Sequence, residues 1–366
     1  MRPFFHPTFG SRPAQLVGRD QIIESFMEGL REPIGSRSRC SIIVGQRGIG
    51  KTALLLELAE RAAREDYVVA RVTAYEHMTE DILETIQMNG ARFIPKEERH
   101  VQGFEAGILG FSFGLSFSEQ TQKQYGFRTK LTLLCDRLAK VGKGILILVD
   151  EAKTSAEMRQ LAICYQHLIG EEKNVALVMA GLPHAISSIL NDDVLTFLNR
   201  AMKYPLGPIP IIEIRGYYMQ AFSKLGISCT EELCRKAAEE TRGFPYLMQL
   251  IGYYLERNVR ESKEITGEIL SISGEQARQD MEENVFAPVL KPLSDNDLSF
   301  LMAMSKDDGI SRISEVGKRL GKKNSFLQPY RARLMDAGII ESPRTGELVF
   351  AVPYLADYLQ SGRYSR

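Results

Sequence analysis

The chain has no net charge: 46 Lys and Arg balance 46 Asp and Glu. No global basic field announces a nucleic acid partner, so any basic surface has to be local. No long apolar stretch is present either. The run Ile145–Val149 is far too short to cross a bilayer, and the amino-terminal MRPFFHPTFGSRP lacks the apolar segment of a signal peptide. A cytoplasmic protein without a membrane partner is expected. The five cysteines (Cys40, Cys135, Cys164, Cys229 and Cys234) are odd in number and form no C-x-x-C pair. They read as buried free thiols in a reducing cytoplasm, which argues against disulfide, metal or redox chemistry. No period suggests a solenoid and no segment is of low complexity. What is left is an ordinary globular composition, 44% hydrophobic and 25% charged, over 366 residues. That length predicts two or three compact units.

The first half alternates apolar runs with amphipathic helical patterns, the mark of a parallel sheet with crossover helices. Short apolar runs predict buried strands at Ser41–Gly45, Tyr67–Ala74, Gly144–Asp150 and Asn174–Gly181, with a fifth, weaker one at Lys203–Leu206. Helical patterns cover Gln21–Leu30, Lys51–Arg64, Thr79–Met88, Phe127–Val141 and Glu157–Leu168. A segment at about 91–125 departs from this rhythm. Within it Phe111, Phe113, Leu115 and Phe117 alternate with Gly and Ser, a strand or hairpin with one apolar face. That face either packs on the core or offers a contact surface, over 108–118, to a neighbouring subunit or partner.

From about Gly207 helices dominate: Ile212–Leu225, Thr230–Thr241, Pro245–Asn258 and Gly274–Val289. The last stretch changes again. Ser294 with Asp297 three residues on resembles a capped helix start, ahead of Leu298, Leu301 and Met302. A second helix carries Ile313, Val316 and Leu320, and a third Leu327, Tyr330 and Leu334. Two short strands then flank the turn Pro343-Arg344-Thr345-Gly346. Helix, helix, helix, hairpin in that order reads as a winged helix-turn-helix. The expected domains are a nucleotide-binding core over 1–206 with its Phe/Gly-rich insertion, a helical lid over 207–290 and a winged helix over 291–366.

The chemistry lies in Gly45-Gln46-Arg47-Gly48-Ile49-Gly50-Lys51-Thr52, a full match to G-x-x-x-x-G-K-[ST] between a buried strand and a helix. Glycines let successive backbone N–H groups turn inward on phosphates, and the helix start, with Ala53 behind Thr52, adds a positive dipole. Lys51 suits the β- and γ-phosphates and the Thr52 hydroxyl suits Mg2+. The second half is Ile145–Val149 followed by Asp150 and Glu151. In this Walker B pattern Asp150 holds magnesium and Glu151 acts as general base on the attacking water. ATP or ADP with Mg2+ is the expected cofactor, and Glu151 argues for hydrolysis rather than binding alone.

Leu16-Val17-Gly18-Arg19-Asp20, the two Walker motifs, Ala180-Gly181-Leu182-Pro183 and Thr241-Arg242-Gly243-Phe244-Pro245-Tyr246 together resemble AAA+ ATPases of the initiator-like and archaeal-ATPase kind, over essentially the whole chain. The resemblance implies an α/β fold: a parallel P-loop sheet, a helical lid and a C-terminal winged helix. It places Val17, Gly18 and Arg19 against the adenine. Arg200 stands where the family has its arginine finger, which implies hydrolysis completed by a neighbouring subunit and a homo-oligomer. Two departures stand out. The fourth strand ends in Met179-Ala180-Gly181 instead of a polar residue. The lid has Tyr246 where an arginine is common, and its Gly243-Phe244-Pro245 is similar to signalling ATPases that set Pro245 against the nucleotide.

In the winged helix, Lys318, Arg319, Lys322, Lys323, Arg331 and Arg333 gather at the third helix and the turn before it, with Arg344 at the wing tip. From Lys291 onward 12 basic residues face 9 acidic ones, a modest net of +3 whose clustering matters more than its size. These are the expected DNA contacts. The leading expectation is an ATP-driven switch that assembles on DNA. The alternative is a signalling ATPase of the STAND kind, one setting for which is defence against mobile elements, whose winged helix docks protein or holds it shut.

Overall fold

The structure is a computed structural model, and it describes all residues except 1–3, 8–12, 95–110, 114, 119–121, 123–124, 260–261 and 364–366. The described residues fall into two compact units.

One unit comprises Arg19–Gly45 and Lys51–Pro205. Its strands are β1 (Cys40–Gly45), β2 (Tyr67–Thr73), β3 (Phe111–Phe113), β4 (Ser116–Phe117), β5 (Gly144–Asp150), β6 (Val175–Gly181) and β7 (Met202–Leu206). Five of them form one sheet in the order β2-β5-β6-β1-β7, with parallel pairing of β2 to β5, β5 to β6 and β6 to β1. Every residue of β5 and β6 is buried, whereas the border strand β7 alternates exposed and buried positions, because only a strand covered on both faces needs an unbroken apolar run. Helices α1 (Asp20–Arg31), α2 (Lys51–Arg64), α3 (Met78–Gly90), α4 (Phe127–Ala139), α5 (Ala156–Gly170) and α6 (Pro183–Leu190) complete the unit.

Arg39 is buried in this unit among neutral partners. It donates to the Tyr67 hydroxyl and, at 2.6 Å, to Asn174 Oδ1. Tyr67 in turn donates to the Leu30 carbonyl at 2.8 Å. One guanidinium thereby ties the end of α1 to the starts of β2 and β6. In the predicted insertion, β3 and β4 form an antiparallel hairpin whose register shifts between Phe111 and Phe113. Leu115 and Phe117 are spent on the main core. Much of the rest of 91–125 lies outside the described residues.

The second unit comprises the described residues of Met1–Gly18, with Gln46–Gly50 and Leu206–Arg366. Its helices are α7 (Ile211–Leu225), α8 (Glu231–Glu240), α9 (Pro245–Asn258) and α10 (Gly267–Met281). The last of these starts seven residues before the predicted Gly274, because Thr266 caps it by accepting from the Ile269 N–H. It ends in a π turn, Glu282–Phe286. Pro288 follows, and a ring that cannot donate and crowds the preceding turn makes that widening understandable. The amino-terminal segment is an unforeseen part of this unit. Phe5 is buried with ring centroids 5.5–5.8 Å from Tyr217, Tyr218 and Phe222, and the His6 amide donates to Gln249 at 3.0 Å.

Beyond these lie α11 (Asp295–Met304), β8 (Ser311–Arg312), α12 (Ile313–Leu320), α13 (Asn324–Asp336), β9 (Ile340–Glu341), β10 (Glu347–Phe350) and α14 (Leu355–Gln360), with a three-stranded sheet in the order β8-β10-β9. The strand β8 and helix α14 carry no signal in the sequence pattern. Ser294 and Asp297 form the expected capping box on α11. Burial works to raise the Asp297 carboxyl, but hydrogen bonds from Ser294 and Arg333 outweigh it and hold the group below the usual carboxylate range. A lowered native value means stabilisation that is complete above the unfolded value of about 3.9 and lost as pH falls through the native one. Asp297→Ala should therefore cost about 1–3 kcal/mol at pH 7. Urea denaturation at pH 7 and at pH 3 should show the gap from the parent chain closing at the lower pH.

Candidate nucleotide site

The loop between β1 and α2 is shaped by two glycines in the left-handed region, Gly48 at φ +78° and Gly50 at φ +94°. Residues with a Cβ are strained there, so the pattern's glycines are required by the turn itself. Ile49 is buried and anchors the loop. Within the second unit the loop meets the segment 241–245. A Cβ on Gly48 would lie 2.8 Å from the Phe244 ring, and one on Gly50 would lie 3.8 Å from Pro245 Cγ. Phe244 is held in place by its own turn: its N–H donates to the Thr241 carbonyl at 2.8 Å, and the Gly243 N–H donates to Thr241 Oγ1 at 3.0 Å. Sequence reasoning assigned Phe244 no role. Its position just before a helix-opening proline is the only signal it carries.

In the sheet unit, Lys51 Nζ donates to the Gly45 carbonyl at 2.8 Å. Thr52 Oγ1 donates to Asp150 Oδ2 at 2.7 Å. The two halves of the predicted magnesium site are thus in direct contact, 98 residues apart in sequence. Asp150 is buried and its Oδ1 accepts the Glu151 amide at 2.9 Å. Glu151 itself is exposed and sits at φ +51°, a conformation that costs a non-glycine residue free energy and is met disproportionately at working sites.

A phosphate chain with magnesium fits these residues. A loop turned by two left-handed glycines, a lysine that opens the helix after it and a hydroxyl bonded to a buried carboxylate supply the kinds of donor such a group requires. Among the described residues no cluster of three or more His, Cys, Asp or Glu could hold a metal ion on protein ligands alone. Magnesium here would take Thr52 and Asp150 and complete its shell with phosphate oxygens and water.

Residues 15–178 match a family described as the AAA ATPase domain, and that segment holds both the loop and the paired carboxylates. The chain carries an AAA ATPase domain over those residues, and the protein is an ATPase. Nucleotide with Mg2+ is the cofactor of such a domain. Residues 283–359 match a second family, described as a domain of unknown function (DUF8462). No curated protein matches the chain. Solved structures with a similar fold include a Walker-type ATPase of Pyrococcus abyssi (15% identity, TM-score 0.65, 98% of this chain and 99% of that one). The ORC2 protein of Aeropyrum pernix in its ADPNP–ADP complexes is similar as well (14%, 0.62, 97% and 95%). So is Cdc6p from Pyrobaculum aerophilum (17%, 0.52, 97% and 95%).

The remaining candidate residues are placed unevenly. Val17 is buried. Gly18, at φ +68°, lies against Ile209 and Glu213, so that a Cβ there would be 3.0 Å from each. Arg19 is buried in the sheet unit, where its carbonyl accepts the Ile23 N–H at 3.0 Å and starts α1. Arg200 ends the single turn Thr196–Arg200 before β7 with its side chain exposed. The end of β6 is apolar, as the sequence reads, and the Ala180 carbonyl accepts the Ala152 N–H at 2.8 Å.

Of the seven basic residues singled out near the C-terminus, several are engaged internally. Arg319 grips Asp307 with both nitrogens and donates to the Ala303 carbonyl at 2.6 Å. That grip holds the Asp307 carboxyl below its ordinary range. Arg333 pairs with buried Asp297 at 2.8 Å, Lys318 pairs with Glu315 at 2.8 Å, and Arg331 donates to Ser342 at 2.9 Å. Lys322, Lys323 and Arg344 are exposed and make no ion pair among the described residues; Lys322 lies 4.9 Å from the centre of the Phe326 ring.

Gly48→Ala should destabilise the protein by roughly 1–3 kcal/mol, through the left-handed backbone and the ring it meets. In a double-mutant cycle by chemical denaturation, Phe244→Ala should recover the steric part only, so the two effects should be less than additive.

Proposed function

We propose that this AAA+ ATPase is a nucleotide-driven switch that works on DNA through a C-terminal winged helix, and that the turn 241–245 couples loop to winged helix. The observation that carries the coupling is one continuous path. Phe244 lies against Gly48 of the nucleotide loop, and Arg242, two residues earlier, lies 3.8 Å from the centre of the Tyr354 ring and 3.3 Å from Asp357 at the start of α14. The Tyr354 hydroxyl donates to the Glu240 carbonyl at 2.8 Å. Element order from α11 to β10, with the α12–α13 turn at left-handed Gly321, supports the winged helix reading. The domains of the proposal are core, lid and winged helix over 1–206, 207–290 and 291–366.

In the proposed site the loop amides and Lys51 hold the phosphates, and Gly18 with its neighbours borders the base. Thr52 and Asp150 would hold the magnesium of bound ATP, which would neutralise charge on the phosphates, and Glu151 would accept a proton from the attacking water. Arg200, exposed and ready to reach another copy, is proposed to act on a neighbour's γ-phosphate in a homo-oligomer. DNA contact falls to Lys322, Lys323 and Arg344. Arg319 and Arg333 hold the domain together instead.

A second reading, a signalling ATPase held shut by its C-terminal segment, draws on the same Arg242–Tyr354–Asp357 contacts. The two readings separate experimentally. Lys51→Ala should abolish ATP binding, measured by calorimetry, while Glu151→Gln should retain binding and lower turnover by about 100-fold or more. On duplex DNA, Lys322→Glu with Lys323→Glu should weaken binding and reduce the slope of log affinity against log salt by about 2. DNA-independent turnover that rises in Arg242→Ala would instead favour the autoinhibited reading.

A further inference from the structure

The sequence places Cys229 and Cys234 five residues apart with no redox spacing, yet the fold brings their sulfurs within 3.0 Å. The approach follows from how α8 begins. The chain leaves α7 through left-handed Gly226, and Ser228 is then pinned on both sides of its backbone. Its N–H donates to the Lys263 carbonyl at 2.7 Å, and its carbonyl accepts from Ile265 at 2.8 Å. Thr230 caps α8 by accepting the Leu233 N–H at 3.3 Å. Cys229 precedes the cap, and Cys234 lies one turn into the helix on the same side, so a tight helix entry aims one thiol at the other.

The two sulfurs differ in access. Cys229 is partly exposed and Cys234 is buried. They differ in charge as well. The hydrogen bond shared with Cys229 and then the Arg215 guanidinium hold the Cys234 thiol below its usual range, against the opposing effect of burial. The helix start adds a dipole of the same sense. Cys229 is pushed the other way, its thiol raised by the hydrogen bond with Cys234 and by burial, so access and not ionisation makes it the sulfur that peroxide meets first. Burial likewise pushes Cys40, Cys135 and Cys164 up, to about 12, and none of them has a second thiol at hydrogen-bond distance among the described contacts.

We infer that Cys229 and Cys234 form an oxidisable dithiol, a modification site at which a small peroxide closes a disulfide across the entry of α8. The exposed sulfur reacts first: Cys229 takes one oxygen from hydrogen peroxide to become a sulfenic acid, and one water leaves. The Cys234 sulfur then attacks the Cys229 sulfur, forming the S–S bond and expelling hydroxide, which leaves with the Cys234 proton as a second water. Two thiols are oxidised and one peroxide is reduced to two waters. The sulfurs have to close from 3.0 Å to a bond length of about 2.05 Å, a movement within the reach of side-chain rotation. The bond would brace the helix that leads directly into the 241–245 turn.

The test treats the full-length protein with hydrogen peroxide and follows thiols, intact mass and linked peptides. Free thiols in the unfolded, treated protein should drop from five to three. The mass should fall by two hydrogens, a Cys229–Cys234 linked peptide should appear, and dithiothreitol should reverse all three changes. Cys234→Ser should accumulate a sulfenic acid at Cys229, trapped by dimedone, and Cys229→Ser should keep all its remaining thiols. Retention of five thiols would overturn the inference. So would passage of Cys229 to sulfinic acid without a cross-link, or a disulfide through any other cysteine.

Discussion

The hydrogen bond from Thr52 to Asp150 sets the terms for the rest of the sheet unit. The loop leaves β1 and the carboxylate ends β5, but β6 lies between those strands in the sheet. For the hydroxyl and the carboxylate to meet at 2.7 Å, the three strand ends have to be level and the one in the middle has to be small. Ala180 and Gly181 meet that need. The chain beyond Asp150 crosses close to the end of β6, so near that a Cβ on Gly181 would stand 2.7 Å from the Ala152 carbonyl. The missing polar residue at the end of β6, a departure from the family pattern, thus has a local steric reason.

A second constraint operates around the turn 241–245. Gly243 is left-handed and crowded by Pro208 and Ile209, whose amide donates to the Gly243 carbonyl at 2.8 Å. Arg242 and Tyr354 also have positive φ, at +48° and +65°, and their side chains face each other as cation and ring. Strain of this kind persists only where surrounding contacts over-determine it. Its placement next to the nucleotide loop suits a segment that responds to what the loop holds.

Much of the fold was legible because periodicity survives where burial is uniform. Helices at Lys51–Arg64 and Pro245–Asn258 and the strand Gly144–Asp150 have the bounds their patterns predict. Legibility failed where the determining contact is distant. The start of α10 depends on a threonine cap, the burial of Phe5 on rings more than 200 residues away, and the two-residue strand β8 on pairing with β10. Charge was the least legible quantity. Seven basic residues look alike in sequence, and only the positions of Asp297, Asp307 and Glu315 distinguish cations paired within the chain from those with no ion pair among the described residues.

The sequence by itself determined the loop chemistry, since backbone amides can turn onto phosphate only where glycines allow it, and the order of strands and helices that carries the loop. Tertiary structure alone decided which distant groups meet: the hydroxyl with its carboxylate, the glycine loop with Phe244, Arg242 with Tyr354, and one thiol with another. The physical reason is range. Propensity and periodicity act over a few residues, whereas a hydrogen bond or a ring contact depends on where two separate segments are brought by the packing of everything between them.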